Sequence, residues 1–470
     1  MGSKWIEVKL SDLGEVARGR SRHRPRYAEH LYGGNYPFIQ TGDVKASNGR
    51  INSHQQTYSE AGLAQSRLWP KNTMCITIAA NIAETGVLQY PACFPDSIIG
   101  FIADENKSDV YFIEYLFRKL RKDIQHQASG SVQDNINLQT IERLRFNIPS
   151  VNEQRKIAVF LNYFEDKITL NRQINQTLEQ MAQALFKSWF VDFDPVVDNA
   201  LDAGFFAEHR DLPEALLRRA EQRKIVRQQP DFTPLPAETR QLFPAAFEAC
   251  EEPSLGLGGW VPQGWKTKTL GEITIELRRG ISPKYTDEDG VLVINQKCIR
   301  NHELSFDIAR KHNSALRSIA GRELNIGDVL VNSTGVGTLG RIAQVTYLQG
   351  ATVIDSHVTV VRVNDTECPI YTFGQLMLSM EASIERLGEG STGQTELSRK
   401  VLSEQYVILP PLKLTHEIER TFQSIAEKQS SARNECINLS KLRDTLLPKL
   451  ISGELRLSDD GTLADGDTDC

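Results

Sequence analysis

Paired cysteines are missing from this chain of 470 residues. Its seven cysteines (75, 93, 250, 298, 368, 436 and 470) stand singly, with no C-x-x-C anywhere, which argues against a disulfide framework and a thiolate zinc site and leaves reduced, structural thiols. Histidines are few and isolated, with no H-x-x-x-H pair to support metal-dependent hydrolysis. No apolar run approaches the ~20 residues of a membrane span, and no charged-then-apolar leader opens the chain, so a cytoplasmic location is expected. Ile6 stands where an acylation signal after Met1-Gly2 wants Ser or Thr. The phosphate loop of a motor is absent. So is the Asn- or Asp-Pro-Pro-aromatic tetrapeptide of an amino-group methyltransferase, to which Asp194-Pro195-Val196 comes nearest. Positive charge is not in excess either: the net charge is -6, so any affinity for nucleic acid must come from local clusters. What is present, 40% hydrophobic and 24% charged residues, is ordinary for a globular protein, and the length calls for two or three domains.

The chain contains a tandem repeat. Trp5, Leu13-Gly14-Glu15 and Arg18-Gly19 return as Trp265, Leu270-Gly271-Glu272 and Arg279-Gly280. Strand-like runs follow around Tyr36 to Gln40 and around Val291 to Asn295, and Asp96-Ser97 and Asp355-Ser356 open another matched pair. Gly130-Ser131, with Leu138, Leu144 and Ile148-Pro149, is echoed by Gly390-Ser391, with Leu397, Leu402 and Leu409-Pro410. Ordered matches at one offset of about 260 residues are not chance.

Each copy ends in a helical stretch with a heptad stripe. Behind a capping box at Ser150 to Glu153, the first stripe runs through Ile157, Leu161, Phe164 and Ile168, turns polar at Asn171 and Asn175, and resumes at Leu178, Ala182, Leu185 and Trp189. The second runs through Ile418, Phe422, Ile425, Gln429, Ala432, Cys436, Leu439 and Leu446. The simplest partner for either stripe is the other, with the polar centres fixing register.

One catalytic pattern tempts: Pro95-Asp96 with Glu105-Asn106-Lys107 has the form of a PD...ExK nuclease site. The repeat argues against it, because the second copy offers Arg362-Val363-Asn364 where an acid and a lysine are needed. DNA contact finds better support. Arg18, Arg20, Arg22, Arg24 and Arg26, with His23, crowd an acid-free loop, and Arg278, Arg279 and Lys284 occupy the matching place in the second copy; such residues suit phosphates and guanine edges. Asn332, Ser333 and Thr334 open a glycine-containing loop able to approach DNA closely, with Asn81 to Gly86 as its equivalent, and Gln40 and Gln296 are further candidate DNA contacts.

With these features in place the chain resembles the specificity subunit of type I restriction-modification enzymes. The resemblance rests on the Trp-to-Leu-Gly-Glu starts, the Gly-Ser segments before Ile148-Pro149 and Leu409-Pro410, the stretch Leu185 to Pro195, Gly259 to Trp265, and Leu446 to Leu450 with Gly453-Glu454-Leu455. It implies an α+β fold of two mixed target-recognition domains, residues 1–149 and 260–410, each followed by a long helix, 150–194 and 411–456, the two helices forming an antiparallel coiled coil. Residues 195–259 are then a connector and 457–470 an acidic, disordered tail. It further implies a non-catalytic, sequence-specific DNA-binding subunit reading a bipartite, asymmetric target. The helices would act as a ruler between half-sites, and two modification subunits and two restriction subunits would be its partners. No cofactor is expected on this chain; S-adenosylmethionine, Mg2+ and ATP belong to the partners. Because the DNA-facing residues of this family vary with target, the contact residues above rest on charge and loop character alone.

Overall fold

A computed structural model describes residues 5–79, 81–129, 137–209, 211–388, 396–458 and 463–464. The chain divides into two compact units, Met1–Leu170 with Glu435–Cys470, and Asn171–Asn434. The matched Gly130-Ser131 and Gly390-Ser391 lie outside the described residues.

In the first unit, Gly14–Arg18 lies antiparallel to Ile98–Ala103, which pairs with Thr73–Thr77, then Thr85–Leu88, with Gly49–Ile51 added in parallel at the far edge. The central strand Thr73–Thr77 is buried at every position, as a strand covered on both faces must be. Ile6–Val8 pairs with Phe146–Ile148, which brings the chain to the first long helix, Val151–Phe186. Ser150 Oγ accepts the Glu153 N–H at 3.5 Å at its start. Ile157, Leu161 and Phe164 of this helix are buried, the first two in one core with Leu447, Leu450 and Ile451 of the second, Leu412–Ser452. Glu165 bonds Arg443 at 2.8 Å and the Ile168 carbonyl accepts from Cys436 Sγ at 3.6 Å, so the segments run antiparallel. Leu439 and Leu446 are half-buried. Arg456–Leu457 pairs with Leu463–Ala464, so the expected tail includes a strand pair among its described residues.

The second unit repeats this plan. Thr274–Arg279, Val358–Val363, Val329–Asn332 and Ile342–Gln344 form the equivalent sheet, and Lys266–Thr269 pairs with Tyr406–Leu409 ahead of the second long helix. Here too the helices are antiparallel: Asn175 Nδ2 donates to the Gln429 carbonyl at 3.3 Å, Gln429 Nε2 returns a bond to the Asn175 carbonyl at 3.2 Å, and Phe186 meets Phe422 at 6.3 Å between ring centroids. The polar seam centre is thus a pair of reciprocal side-chain to backbone bonds, which only one register satisfies. Ile418 and Phe422 are buried, while Leu178 and Ile425 are half-buried.

Two expectations need correction. The first long helix does not run to 194: it closes in a π-helical turn, Lys187–Val191, and Phe193 in the left-handed region (φ 53°) starts a new helix, Asp194–Asp202. Residues 195–259 are also more than a connector. Val196, Val197, Ala200, Phe205, Leu216 and Phe247 form one core with Phe186, Phe190, Trp265, Ile418 and Phe422. That core pulls the buried face at the helix end onto Phe186 and Phe190, leaving Leu185 and Trp189 half-buried. The helix Glu214–Arg227, which gives Leu216 to that core, also turns Arg219 onto Asp194 (2.9 Å) and Arg223 onto Asp198 (3.0 Å).

Candidate nucleic-acid interface

In the first unit, strand Gly14–Arg18 delivers the arginine loop beside Pro95 and Asp96. Gly19 is required there, because a Cβ would stand 2.2 Å from the Pro95 carbonyl oxygen, and its N–H bonds the Ile98 carbonyl at 2.8 Å. The loop is then fastened by Arg20 N–H to the Phe94 carbonyl (3.1 Å), Ser66 Oγ to the Arg20 carbonyl (2.8 Å) and His23 N–H to Gln65 (3.0 Å). Its arginines are not equivalent. Arg26 grips both oxygens of Asp96 at 2.8 and 2.9 Å, and Arg24 Nη1 donates to the Ser21 and His23 carbonyls at 2.7 and 2.9 Å. These two, counted with the other three as candidate contacts, also shape the loop. Arg18 is exposed and donates to the Asp96 carbonyl at 3.1 Å. Arg20 and Arg22 are exposed with no ion pair to a described residue, so both are accessible to a phosphate. Gln40 lies apart, half-buried, with Nε2 on Gln56 at 2.6 Å. Since Asp96 is held by Arg26 and Lys107 sits on Asp104 at 3.4 Å, the nuclease pattern is not assembled. Among the described residues no group of three or more His, Cys, Asp or Glu side chains is placed to hold a metal.

In the second unit the strand equivalent to Gly14–Arg18 carries Arg278 and Arg279. Arg278 is half-buried and turned onto Glu276, which removes it from the contact set. Arg279 pairs with Glu396 at 2.7 Å and donates to the Leu397 carbonyl at 3.0 Å. Lys284 is exposed, its backbone N–H bonded to His312 Nδ1 at 2.8 Å. Asn332 and Ser333 are fully buried and are likewise corrected: Asn332 Nδ2 donates to the Gln296 and Thr338 carbonyls, both at 3.0 Å, and Ser333 Oγ meets Thr359 Oγ1 at 2.6 Å. They hold the loop and show no surface. Thr334 is half-buried, its hydroxyl 2.8 Å from His357 Nδ1 and 3.3 Å from Gln296 Oε1. The structure thus gathers Arg279, Gln296, Thr334, His357 and Glu396, while Lys284 is not joined to them by any bond shown. Burial raises the Asp355 carboxyl pKa, and the His357 N–H at 2.9 Å opposes this.

Sequence reasoning missed His357, Glu396 and Arg341, whose Nη2 donates to the Gly337 carbonyl at 2.8 Å, and the pair Arg399 and Lys400, which line an open cleft with Arg279. The match of Asp355 with Asp96 was the signal that could have drawn attention to His357, two residues on.

The model of the family described as "Type I restriction modification DNA specificity domain" matches residues 2–180 and 262–439, well over half of the chain. Among curated proteins, the type I restriction enzyme HindI specificity subunit of Haemophilus influenzae is 29% identical over 96% of this chain and 100% of its own. The type I restriction enzyme MjaIX specificity subunit of Methanocaldococcus jannaschii is 24% identical over 97% of this chain and 94% of its own. A crystal structure of the type I restriction-modification S subunit from M. genitalium superposes with a TM-score of 0.51 at 15% identity over 96% of either chain, a likeness of fold.

Proposed function

Because the chain belongs to the type I restriction-modification DNA specificity family, as a DNA-recognition subunit and not a catalytic one, we propose that each unit reads one half of a split, asymmetric DNA target. One observation carries this: two sheets of the same plan, matched at Arg18 and Arg279, surround that shared arginine with unlike side chains. The first unit offers Arg18, Arg20 and Arg22 beside an Asp96–Arg26 pair; the second offers Arg279, Gln296, Thr334 and His357 beside Glu396. Phosphate contacts from the exposed arginines position the protein, and the hydrogen-bonding groups meet base edges in the major groove. Different groups on equal frames imply two unlike half-targets.

Adenine methylation and restriction are then the work of partners in the cytoplasm, two modification subunits and two restriction subunits. S-adenosylmethionine, Mg2+ and ATP are bound there and not by this chain. No helix among the described residues is long and apolar enough to cross a membrane. Co-expression with modification subunits, followed by mapping of methylated adenines across a genome, tests the proposal. A split motif with a fixed gap is expected. A continuous motif, or methylation by the chain alone, overturns it.

A further inference from the structure

At the tip of the loop that Asn332 and Ser333 anchor, Val336 is 93% exposed. An apolar side chain so placed contributes nothing to a core, yet the loop that carries it is tightly built. Thr338 and Leu339 donate to the Gly335 carbonyl at 3.1 and 3.0 Å, Gly340 to the Asn332 carbonyl at 2.8 Å, and Arg341 to the Gly337 carbonyl at 2.8 Å. The flanking residues are glycines with φ of 109° and 70°, a region that other residues rarely adopt. At Gly337 a Cβ would meet nothing within 4 Å, so that side of the tip is bare and backbone can come close to a partner. Valine itself is stiff about χ1, so fixing it on contact costs little entropy.

The surroundings say what the partner offers. Val336 stands beside Thr334, which joins Gln296 and His357, and beside Arg341: donors and acceptors suited to base edges and phosphates. Within the major groove the only apolar group is the C5-methyl of thymine. The side chains that wedge between base steps and unstack the duplex are Phe, Leu, Ile, Met and Pro, not valine. From this geometry we infer that Val336 reads the 5-methyl group of one thymine in the half-target served by the second unit. The inference rests on the family reading above and deepens it by naming a base and a residue.

The test uses the full chain with its modification subunits and duplexes carrying the mapped target, with each thymine replaced in turn by deoxyuridine, which lacks only the methyl. At one position in one half-target, the wild type should bind the deoxyuridine duplex about fourfold more weakly, the ~0.8 kcal/mol of one buried carbon. With Val336→Ala that difference should vanish, while every thymine of the other half-target behaves as before. A half-target without thymine, or a thymine preference that survives Val336→Ala, overturns the inference and leaves the family reading standing. A complex with no sequence preference at all fails the family reading itself. Val336 is too exposed for its truncation to disturb folding.

Discussion

Glu165 takes two arginines at once, and removing its carboxylate is a quantitative test of how the recognition domain of the first unit is held to the helices. The carboxylate is 5% exposed and takes Arg118 at 2.6 Å and Arg443 at 2.8 Å. Arg118 also bonds Glu114 at 2.7 Å and the Asn48 carbonyl at 2.7 Å. One guanidinium therefore ties the helix Val110–Ser129 to the first long helix, and Glu165 passes the link to the second. Breaking a buried pair by deleting one partner costs roughly 3–5 kcal/mol, because the remaining charge is left without compensation. Here Arg118 keeps Glu114 and Arg443 keeps Asp444 at 2.7 Å, so the lower end applies, about 3 kcal/mol for Glu165→Ala. For a unit of this size that lowers Tm by about 6–12 °C.

Scanning calorimetry of the full chain measures the shift, and a double-mutant cycle with Arg443→Ala should return a coupling of about 1–3 kcal/mol. Acid titration supplies an independent check. Burial alone would raise the Glu165 pKa, but the charges of Arg118 and Arg443 outweigh it and hold the carboxyl below its ordinary range. Its contribution is therefore complete above the unfolded value of 4.5 and fades as pH falls through the lower folded value. Glu165→Gln should flatten that acid limb. A Tm drop under about 2 °C, or an additive cycle, would refute the reasoning.

Two further outcomes follow from the same kind of bookkeeping. His302 lies in the second unit between Glu179 (3.6 Å) and Glu381 (3.2 Å), and these two carboxylates raise its pKa from 6.5 to about 9. The stability it adds is complete below pH 6.5 and lost as pH rises through about 9; full linkage would give roughly 3 kcal/mol, and partial exposure to solvent reduces this to about 1–2 kcal/mol. Unfolding curves between pH 6 and 10 should show this decline in the wild type and not in His302→Gln. Gly49→Ala should cost about 2–4 kcal/mol in denaturant titration, combining a disfavoured backbone with a disturbed buried ion pair. The residue has φ 91°, and a Cβ there would fall 1.7 Å from Arg118 Nη2; a cost below 1 kcal/mol would show that the Arg118 cluster yields easily.

Periodic and repeated features were legible in the sequence, and features set by distant partners were not. The strands near Tyr36, Val291, Ile98 and Val358 and the buried stripe from Ile157 to Asn175 followed from alternation, heptad spacing and the internal match. Counting arginines could not show that Arg26 would be taken by Asp96, 70 residues away, or Arg278 by Glu276. Polarity made Asn332 and Ser333 look like surface residues, but their short side chains replace backbone partners inside the loop. Proline and charge in 195–259 obscured its apolar residues, which share a core with the helix ends.

The sequence repeats at about residue 260, yet the compact units divide inside both long helices, after Leu170 and after Asn434. The two tryptophans that open the copies show why. Trp265 lies 5.9 Å from Phe190 and 5.5 Å from Phe193, between ring centroids, at the end of the first long helix. Trp5 lies against Gly453, just past the second, where a Cβ would come within 2.9 Å of its ring. Each recognition sheet is therefore completed by the end of the helix that belongs to the other copy. Leu447, Leu450 and Ile451 cover the Ile157 and Leu161 of the first unit, and each fully buried aliphatic side chain of this kind contributes roughly 1.5–3 kcal/mol. Neither copy contains its whole core, so each sheet depends for its burial on the long helix of the other copy.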